Sequence, residues 1–153
     1  MKKTVFLTGA TGNMGAAGLA ELLKKKDLYN IVLLARPSKA NKEKLAYLKD
    51  EESVKIVWGD LLNYDDILKC VTGADIVLHV GGMVSPQADY FPKRTLKTNT
   101  EAAKNIVKAV LAQPNKDEIK VVYIGTVAQT SDRNEPIHWG RTGDPICISV
   151  YDH

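Results

Sequence analysis

The chain has 153 residues, 44% of them hydrophobic and 25% charged, a balance that suits one globular domain with its own core. Its formal net charge of +3 is too small and too scattered for a nucleic-acid-binding surface, so we expect no nucleic-acid partner. The two cysteines, Cys70 and Cys147, lie far apart without neighbouring metal-ligand residues, which argues against a disulfide framework and against a metal site.

No apolar stretch approaches the ~18 residues of a membrane span, so we expect no membrane partner. The apolar run near the N-terminus is also shorter than the ~7–15 residues that a secretion signal needs. The sequence therefore predicts a cytoplasmic protein.

From the N-terminus, short apolar runs alternate with helical patterns, which is typical of strand–helix–strand units around a parallel sheet. Residues 4–8 read as the first strand, and the Leu- and Ala-rich stretch 14–23 as the first helix. Residues 31–35 form the second strand, which is almost wholly apolar, as expected when both faces of a sheet are covered.

After a polar turn, Leu45 and Leu48 indicate a short amphipathic helix, and residues 54–59 form the third strand. Asn63 is the predicted N-cap of the next helix, because two acidic residues follow it in the first turn. Residues 74–80 then form the fourth strand.

A longer helix is predicted from Thr95 to Ala112, and Pro114 ends it. Residues 119–125 form the fifth strand. The remaining sequence is rich in turn-forming residues without a clear period, so it predicts a long loop.

Gly9, Gly12 and Gly15 stand between the first strand and the first helix. Backbone N–H groups at the positive end of a helix can bind a pyrophosphate. Gly9 would permit the tight turn, Gly12 the close approach of the phosphate, and Gly15 the close packing of helix on strand. The first gap is one residue longer than in the common dinucleotide fingerprint, and an ordinary glycine turn is the alternative. The position between a strand and an amphipathic helix favours a nucleotide site.

The end of the second strand bears on the choice of cofactor. A carboxylate there would bind the ribose 2′-hydroxyl of NAD, whereas an arginine can bind the 2′-phosphate of NADP through two hydrogen bonds. Arg36 and Lys39 stand at this position without a carboxylate. We therefore predict NADP in preference to NAD, the alternative being that Arg36 is a solvated loop charge.

Five segments in order resemble the NAD(P)-dependent epimerase/dehydratase family, the extended branch of the short-chain dehydrogenase/reductases. The glycine segment "TGATGNMG" matches the TGxxGxxG motif of that family in full. The other four are "GDL" at 59–61, "VLHVGG" at 77–82, "NTEAAKN" at 99–105 and "VVYIGTVAQ" at 121–129.

The resemblance implies an α/β fold, a Rossmann-type doubly wound parallel sheet of order 3-2-1-4-5 with helices on both faces. It also implies that residues 1–153 are one dinucleotide-binding domain, C-terminally truncated, with the substrate-binding C-terminal part absent. The function it implies is the cofactor-binding portion of an epimerase/dehydratase or of a carbonyl or alcohol reductase. The substrate would be a sugar nucleotide or a small carbonyl compound or alcohol.

The glycine argument, the cofactor argument and the resemblance together assign a cofactor-binding set. It comprises Gly9, Thr11, Gly12, Asn13, Met14, Gly15, Arg36, Lys39, Asp60, Leu61, Val80, Gly81 and Gly82. The family places an Asp beside the adenine where Asp60 stands, although Asp60 could instead cap the turn after the third strand. Gly81 and Gly82 replace the alanines of the family, and glycines at a strand end also let a flat ligand approach the backbone.

On the catalytic side, the resemblance assigns Thr126 to the substrate oxygen and Asn99 to support of the active-site hydrogen bonds. The family further uses a tyrosine as general acid/base and a lysine four residues later, which lowers the pKa of the tyrosine. Tyr151 is the sole tyrosine after Thr126, and no lysine follows it in these 153 residues. The family tyrosine corresponds to Tyr151 or falls beyond the end, and we expect the chain to bind a dinucleotide but to catalyse hydride transfer poorly.

Two other functions remain open, a non-catalytic NADP-binding sensor and a nonfunctional remnant. We also expect a homo-oligomer, because the fifth strand and its flanking helix would lose their cover in a shortened chain. His79, inside the fourth strand, is expected to be a packed residue rather than a base.

Overall fold

A computed structural model describes residues 1–126 as a five-stranded parallel sheet with helices on both faces. The strands are β1 Lys3–Thr8, β2 Tyr29–Ala35, β3 Val54–Trp58, β4 Ile76–His79 and β5 Lys120–Tyr123. Their order across the sheet is β3-β2-β1-β4-β5, and all four pairings are parallel. The predicted Rossmann-type sheet and its order are confirmed.

Five helices and one 3-10 turn connect the strands. They are α1 Asn13–Leu23, α2 Lys39–Lys44, the 3-10 turn Ala46–Leu48, α3 Tyr64–Val71, α4 Gln87–Tyr90 and α5 Pro92–Leu111. The Asn63 side chain caps α3, as predicted, by accepting hydrogen bonds from the backbone N–H groups of Asp65 and Asp66.

Two helices and one helix boundary differ from the sequence predictions. The polar turn predicted before Leu45 contains α2, which buries no residue and therefore shows no apolar period. The single turn α4 was not predicted at all. The predicted start of α5 at Thr95 is late, because Pro92 occupies the first turn of the helix, a position where its fixed φ angle favours helix formation.

The alternating side chains of the central strands form two cores, one on each face. Phe6 of β1 packs in one core with α3 and α5, and the neighbouring Leu7 packs in the other core with α1. Cys70 lies fully buried in the first core, where burial and the nearby Asp66 carboxylate raise the pKa of its thiol to about 12. Both faces of the sheet are thus covered, which holds the strand ends in fixed positions.

The β5 edge is the exception within residues 1–126. Its Val121, Val122 and Tyr123 side chains are 45%, 46% and 58% exposed. No helix in this part of the chain is long and apolar enough to cross a membrane. The loop predicted after Thr126, with Cys147 and Tyr151, lies outside the described residues.

Candidate functional site

A cavity of about 610 Å³ opens at the carboxyl ends of the strands. Its walls come from the segments that follow β1, β2, β3 and β4. Successive strands are added toward one edge of the sheet up to β3 and toward the other edge from β4 on, and ligands of open parallel sheets bind in the crevice where this order switches, between β1 and β4. All predicted cofactor-binding residues except Lys39 line this cavity.

The glycine turn between β1 and α1 forms the floor of the cavity. Gly9 has φ +76°, and a Cβ there would lie 2.8 Å from the Gly81 Cα atom, so the position requires glycine. A Cβ on Gly15 would collide with the Gly9 carbonyl, whereas one on Gly12 would touch the same oxygen at an ordinary 3.4 Å. Gly9 and Gly15 therefore allow the strand, the turn and the helix to pack closely.

The first turn of α1 faces this cavity without a side-chain cap. Gly12 is the N-cap residue, it makes no capping hydrogen bond through a side chain, and no acidic residue follows in the first turn. Asn13 and Met14 begin the helix and line the cavity, where the Met14 side chain is 63% exposed. An uncapped helix start offers N–H donors and a partial positive charge, which together suit an anion.

Basic side chains gather where β2 ends. Arg36 lines the cavity, and its backbone carbonyl accepts hydrogen bonds from the Ser38 backbone at 2.8 Å and from Asn41 Nδ2 at 2.9 Å. Lys44 also lines the cavity and donates from Nζ to the Thr11 carbonyl at 3.0 Å. Lys39 instead lies with its side chain 93% exposed, 4.0 Å from a Glu43 carboxylate oxygen.

Sequence reasoning missed Lys44 and Asn41, because it treated their segment as a polar turn. Helix α2 brings the side chains of Asn41 and Lys44, which are five and eight residues after Arg36, back to the cavity. A helical interpretation of residues 39–44 would have placed Lys39 and Lys44 on different faces, and the structure shows that Lys44 faces the glycine turn.

The turn after β3 forms one wall. Asp60 lines the cavity, and its Oδ1 accepts a hydrogen bond from the Leu62 backbone at 2.8 Å. This hydrogen bond caps the turn, which is the alternative role that the sequence analysis gave for Asp60. Leu61 lines the cavity as well, and its carbonyl accepts from Asn105 Nδ2 at 3.2 Å, which fixes this wall to α5.

The opposite wall is the end of β4. The Thr8 hydroxyl oxygen accepts hydrogen bonds from the backbone N–H of Val80 at 3.1 Å and of Gly81 at 2.9 Å. Thr8 Oγ1 also lies 2.8 Å from Nδ1 of His79, which is buried, and burial lowers the pKa of His79 to about 4. His79 is therefore packed against β1 and neutral at pH 7.

Asn99 lies behind the cavity wall and is not among the residues that line it. Its Oδ1 accepts from the Met83 backbone N–H at 2.8 Å, and its Nδ2 donates to the Met83 carbonyl at 3.0 Å. Met83 itself lines the cavity. Asn99 thus holds the backbone of the segment after β4 through two hydrogen bonds, which is a supporting role.

The charge of the cavity is mainly positive. Its lining includes Arg36, Lys44 and Arg94, against Asp60 as the one carboxylate. Within residues 1–126, none of these three cations forms an ion pair. Unpaired cations beside an uncapped helix start favour an anionic ligand.

Two of the three predicted catalytic residues, Thr126 and Asn99, lie in the described part of the chain. Thr126 is half-buried and follows the end of β5, and Asn99 is directed at the Met83 backbone. Tyr151 lies outside the described residues. Residues 1–126 also hold no cluster of side chains that would suit a metal ion.

Comparison with known proteins gives relatives with the same fold and similar sequences. Over 128 residues the chain is 31% identical to a UDP-glucose 4-epimerase of Rickettsia bellii, a match that covers 81% of this chain and 36% of the relative. The UDP-Glc/GlcNAc 4-epimerase of Campylobacter jejuni has the same fold, with a TM-score of 0.78, 19% identity and coverage of 98% of this chain and 45% of that one. The enzyme WbmH of Bordetella bronchiseptica, solved in complex with NAD⁺, gives a TM-score of 0.72 at 22% identity and covers 99% of this chain and 48% of that one.

The chain thus spans about a third of the length of the curated relative that it matches. Residues 5–146 match the model of the NAD dependent epimerase/dehydratase family, which is most of the chain. The sheet order, the glycine turn and the position of the cavity agree with that match. The chain belongs to the NAD-dependent epimerase/dehydratase family.

Proposed function

We propose that this chain forms the dinucleotide-binding domain of an NAD(P)-dependent epimerase/dehydratase, with residues 1–153 as one domain. One observation carries the proposal. The uncapped start of α1 opens through a glycine turn into a cavity lined by three cations and one carboxylate. This combination suits the negative charge of a pyrophosphate, and the walls on either side of the helix start leave a place for a nucleoside on each side.

The residues divide into groups along the cavity. The backbone from Gly12 to Gly15 would bind the pyrophosphate, since the helix start presents its N–H groups there. The wall at Asp60 and Leu61 would lie beside the adenine. The backbone from Val80 to Gly82 would lie against the nicotinamide end, where Gly81 and Gly82 have no side chains and leave room for a flat ring. The bound nicotinamide would accept or return a hydride.

We further propose that the cofactor is NADP rather than NAD. Arg36 can form two hydrogen bonds with a 2′-phosphate, and Lys44 can exchange its bond to the Thr11 carbonyl for one to the same phosphate. Lys39 was the sequence prediction for this second cation. Lys39 is exposed and does not line the cavity, whereas Lys44 does, so Lys44 is the stronger candidate.

The substrate class that we propose is a sugar nucleotide, by analogy with the UDP-glucose 4-epimerase of Rickettsia bellii. The basic end of β2 favours a second candidate, a reductase of small carbonyl compounds or alcohols that uses NADP. In either case Thr126 would bind the substrate oxygen, Tyr151 would act as general acid/base, and Asn99 would position the Met83 backbone.

A calorimetric titration of the 153-residue chain with NADP⁺ and with NAD⁺ tests the proposal. We expect NADP⁺ to bind more tightly, by about tenfold, and Arg36→Ala to remove that preference. Lys39→Ala is the matched control, because this side chain lies outside the cavity, and it should change neither affinity. Failure of the wild-type chain to bind either dinucleotide would contradict the function. Equal affinities would contradict the NADP assignment alone.

The expected homo-oligomer is also a proposal. The exposed apolar side chains of β5 support it, since patches of this kind tend to be covered by association. Light scattering of the purified chain would give the oligomeric state, and a monomer at all concentrations would contradict it.

A further inference from the structure

A buried hydrogen-bond network joins β1 to the end of β4 behind the cavity wall. Thr8 is fully buried, His79 is 3% exposed, and Thr8 Oγ1 lies 2.8 Å from His79 Nδ1. The same oxygen accepts hydrogen bonds from the backbone N–H of Val80 and of Gly81. One hydroxyl group therefore has three close polar partners.

The chemistry of a hydroxyl group decides the direction of these bonds. A hydroxyl has one proton to donate and two lone pairs with which to accept. Backbone N–H groups can only donate, so Val80 and Gly81 occupy both lone pairs. The remaining proton must point to His79 Nδ1, which accepts it. The imidazole is then neutral and carries its own proton on Nε2.

We propose that Thr8 and His79 are a positioning pair for the dinucleotide site, in which neutral His79 orients the Thr8 hydroxyl so that its oxygen holds the Val80 and Gly81 amides. The inference rests on the proposed function, because Val80 and Gly81 line the same cavity. Burial, which lowers the pKa of His79 to about 4, keeps the ring in the required neutral form at pH 7.

The pair also bears on the glycine turn. Gly81 lies so close to Gly9 that a Cβ on Gly9 would come within 2.8 Å of both the Gly81 nitrogen and its Cα atom. A displacement of the Gly81 backbone would therefore change the turn that is proposed to bind the phosphates. The network acts on the ligand through backbone atoms, and neither side chain needs to touch it.

Nitrogen NMR of the histidine rings in the 153-residue chain tests the hydrogen-bond direction without any ligand. We expect His79 to show an unprotonated Nδ1 and a protonated Nε2 at pH 7.5. Thr8→Ser should keep this tautomer, because it keeps the hydroxyl group. A His79 that carries its proton on Nδ1, or is charged at this pH, would overturn the proposal.

Affinity for NADP⁺ tests the positioning role with matched variants. We expect Thr8→Val, which keeps the shape but removes the acceptor, to weaken binding about tenfold, and Thr8→Ser to stay within about twofold of wild type. His79→Asn can offer an acceptor near the position of Nδ1, so it should bind more tightly than His79→Leu. Folding of each variant is checked by thermal unfolding.

The outcomes separate this inference from the proposed function. If the wild-type chain binds no dinucleotide, the proposed function fails. If it binds and folded Thr8→Val binds equally well, the positioning role alone fails. If Thr8→Val does not fold, His79→Leu takes its place, with an expected loss of about threefold. If neither variant folds, the tautomer of His79 in the wild-type chain decides the proposal: a proton on Nε2 supports it, and a proton on Nδ1 overturns it.

Discussion

The floor of the cavity and the wall after β4 are built in different ways. The floor at Gly9 to Gly15 is local, because one glycine turn and one helix start supply its shape within seven residues of sequence. The wall after β4 is held by side chains from distant segments, since Thr8 lies 73 positions before Gly81 and Asn99 lies 16 positions after Met83. A local motif is therefore visible in the sequence, whereas the support of the β4 wall depends on the folded sheet.

The largest effect on cofactor binding should come from breaking the local floor. Gly15→Ala would place a Cβ against the Gly9 carbonyl, so the turn or α1 must move. We expect a loss of about 1–3 kcal/mol in the free energy of unfolding and loss of measurable NADP⁺ binding. Chemical denaturation and calorimetry measure the two effects.

Gly18→Ala is the matched control in the same helix. Nothing lies within 4 Å of a Cβ built on Gly18. Alanine is the better helix former, so this change should stabilise the chain by about 0.5–1 kcal/mol and leave binding unchanged. Equal effects of the two substitutions on stability and binding would contradict the claim that the contact between Gly15 and the Gly9 carbonyl requires glycine.

A change of pH should act on the β4 wall. The pKa of His79 is lowered from 6.5 to about 4 in the folded chain, so between these values the unfolded state binds more protons. His79 therefore contributes stability that is fully present above pH 6.5 and is lost as the pH falls toward 4. The loss should be about 3 kcal/mol.

Denaturant unfolding at several pH values measures how the free energy of unfolding changes with pH, that is, the slope of stability against pH. In His79→Asn, which has no ionisable group at this position, the part of the slope due to His79 should disappear. A variant with the same pH dependence as wild type would contradict the assignment of the slope to this ring.

The smallest effect expected at the β4 wall is that of Asn99. Asn99→Ala removes two hydrogen bonds to the Met83 backbone but leaves the cavity lining in place. We expect NADP⁺ affinity to fall about threefold to tenfold, and stability by about 1–2 kcal/mol. Lys97→Ala, an exposed position on the same helix, is the control for a general effect on α5. An Asn99→Ala chain with unchanged affinity would mean that the Met83 backbone needs no such support.

The five strands could be predicted because each is a short apolar run between helical patterns, and their order in the sheet followed from the family resemblance. Prediction succeeded equally for the cap at Asn63, which depends on residues within one turn. It failed for α2, since this helix buries nothing and leaves no apolar period in the sequence. Amphipathic spacing appears in a sequence only where one face of a helix is buried. The exposed helix α2 has no such spacing, and its N-terminus is instead capped by the Ser38 side chain.

The same limit applies to the site. The glycines and Arg36 follow strands directly, so their place at the carboxyl edge could be inferred from the order of elements. Lys44 could not, because it reaches the cavity only through α2. The hydrogen bonds of Thr8 and His79 depend on the pairing of β1 with β4, which sets Thr8 opposite His79 across the sheet.

The most direct test of the account is amide NMR of the 153-residue chain during titration with NADP⁺. A dinucleotide in the proposed site should shift the backbone amide resonances of Gly12 and Gly15 in the floor and of Gly81 and Gly82 in the β4 wall. The exposed end of α5 at Leu111 should stay unchanged. Shifts confined to surfaces away from the glycine turn, or no shifts at saturating NADP⁺, would contradict the claim that this cavity binds the cofactor.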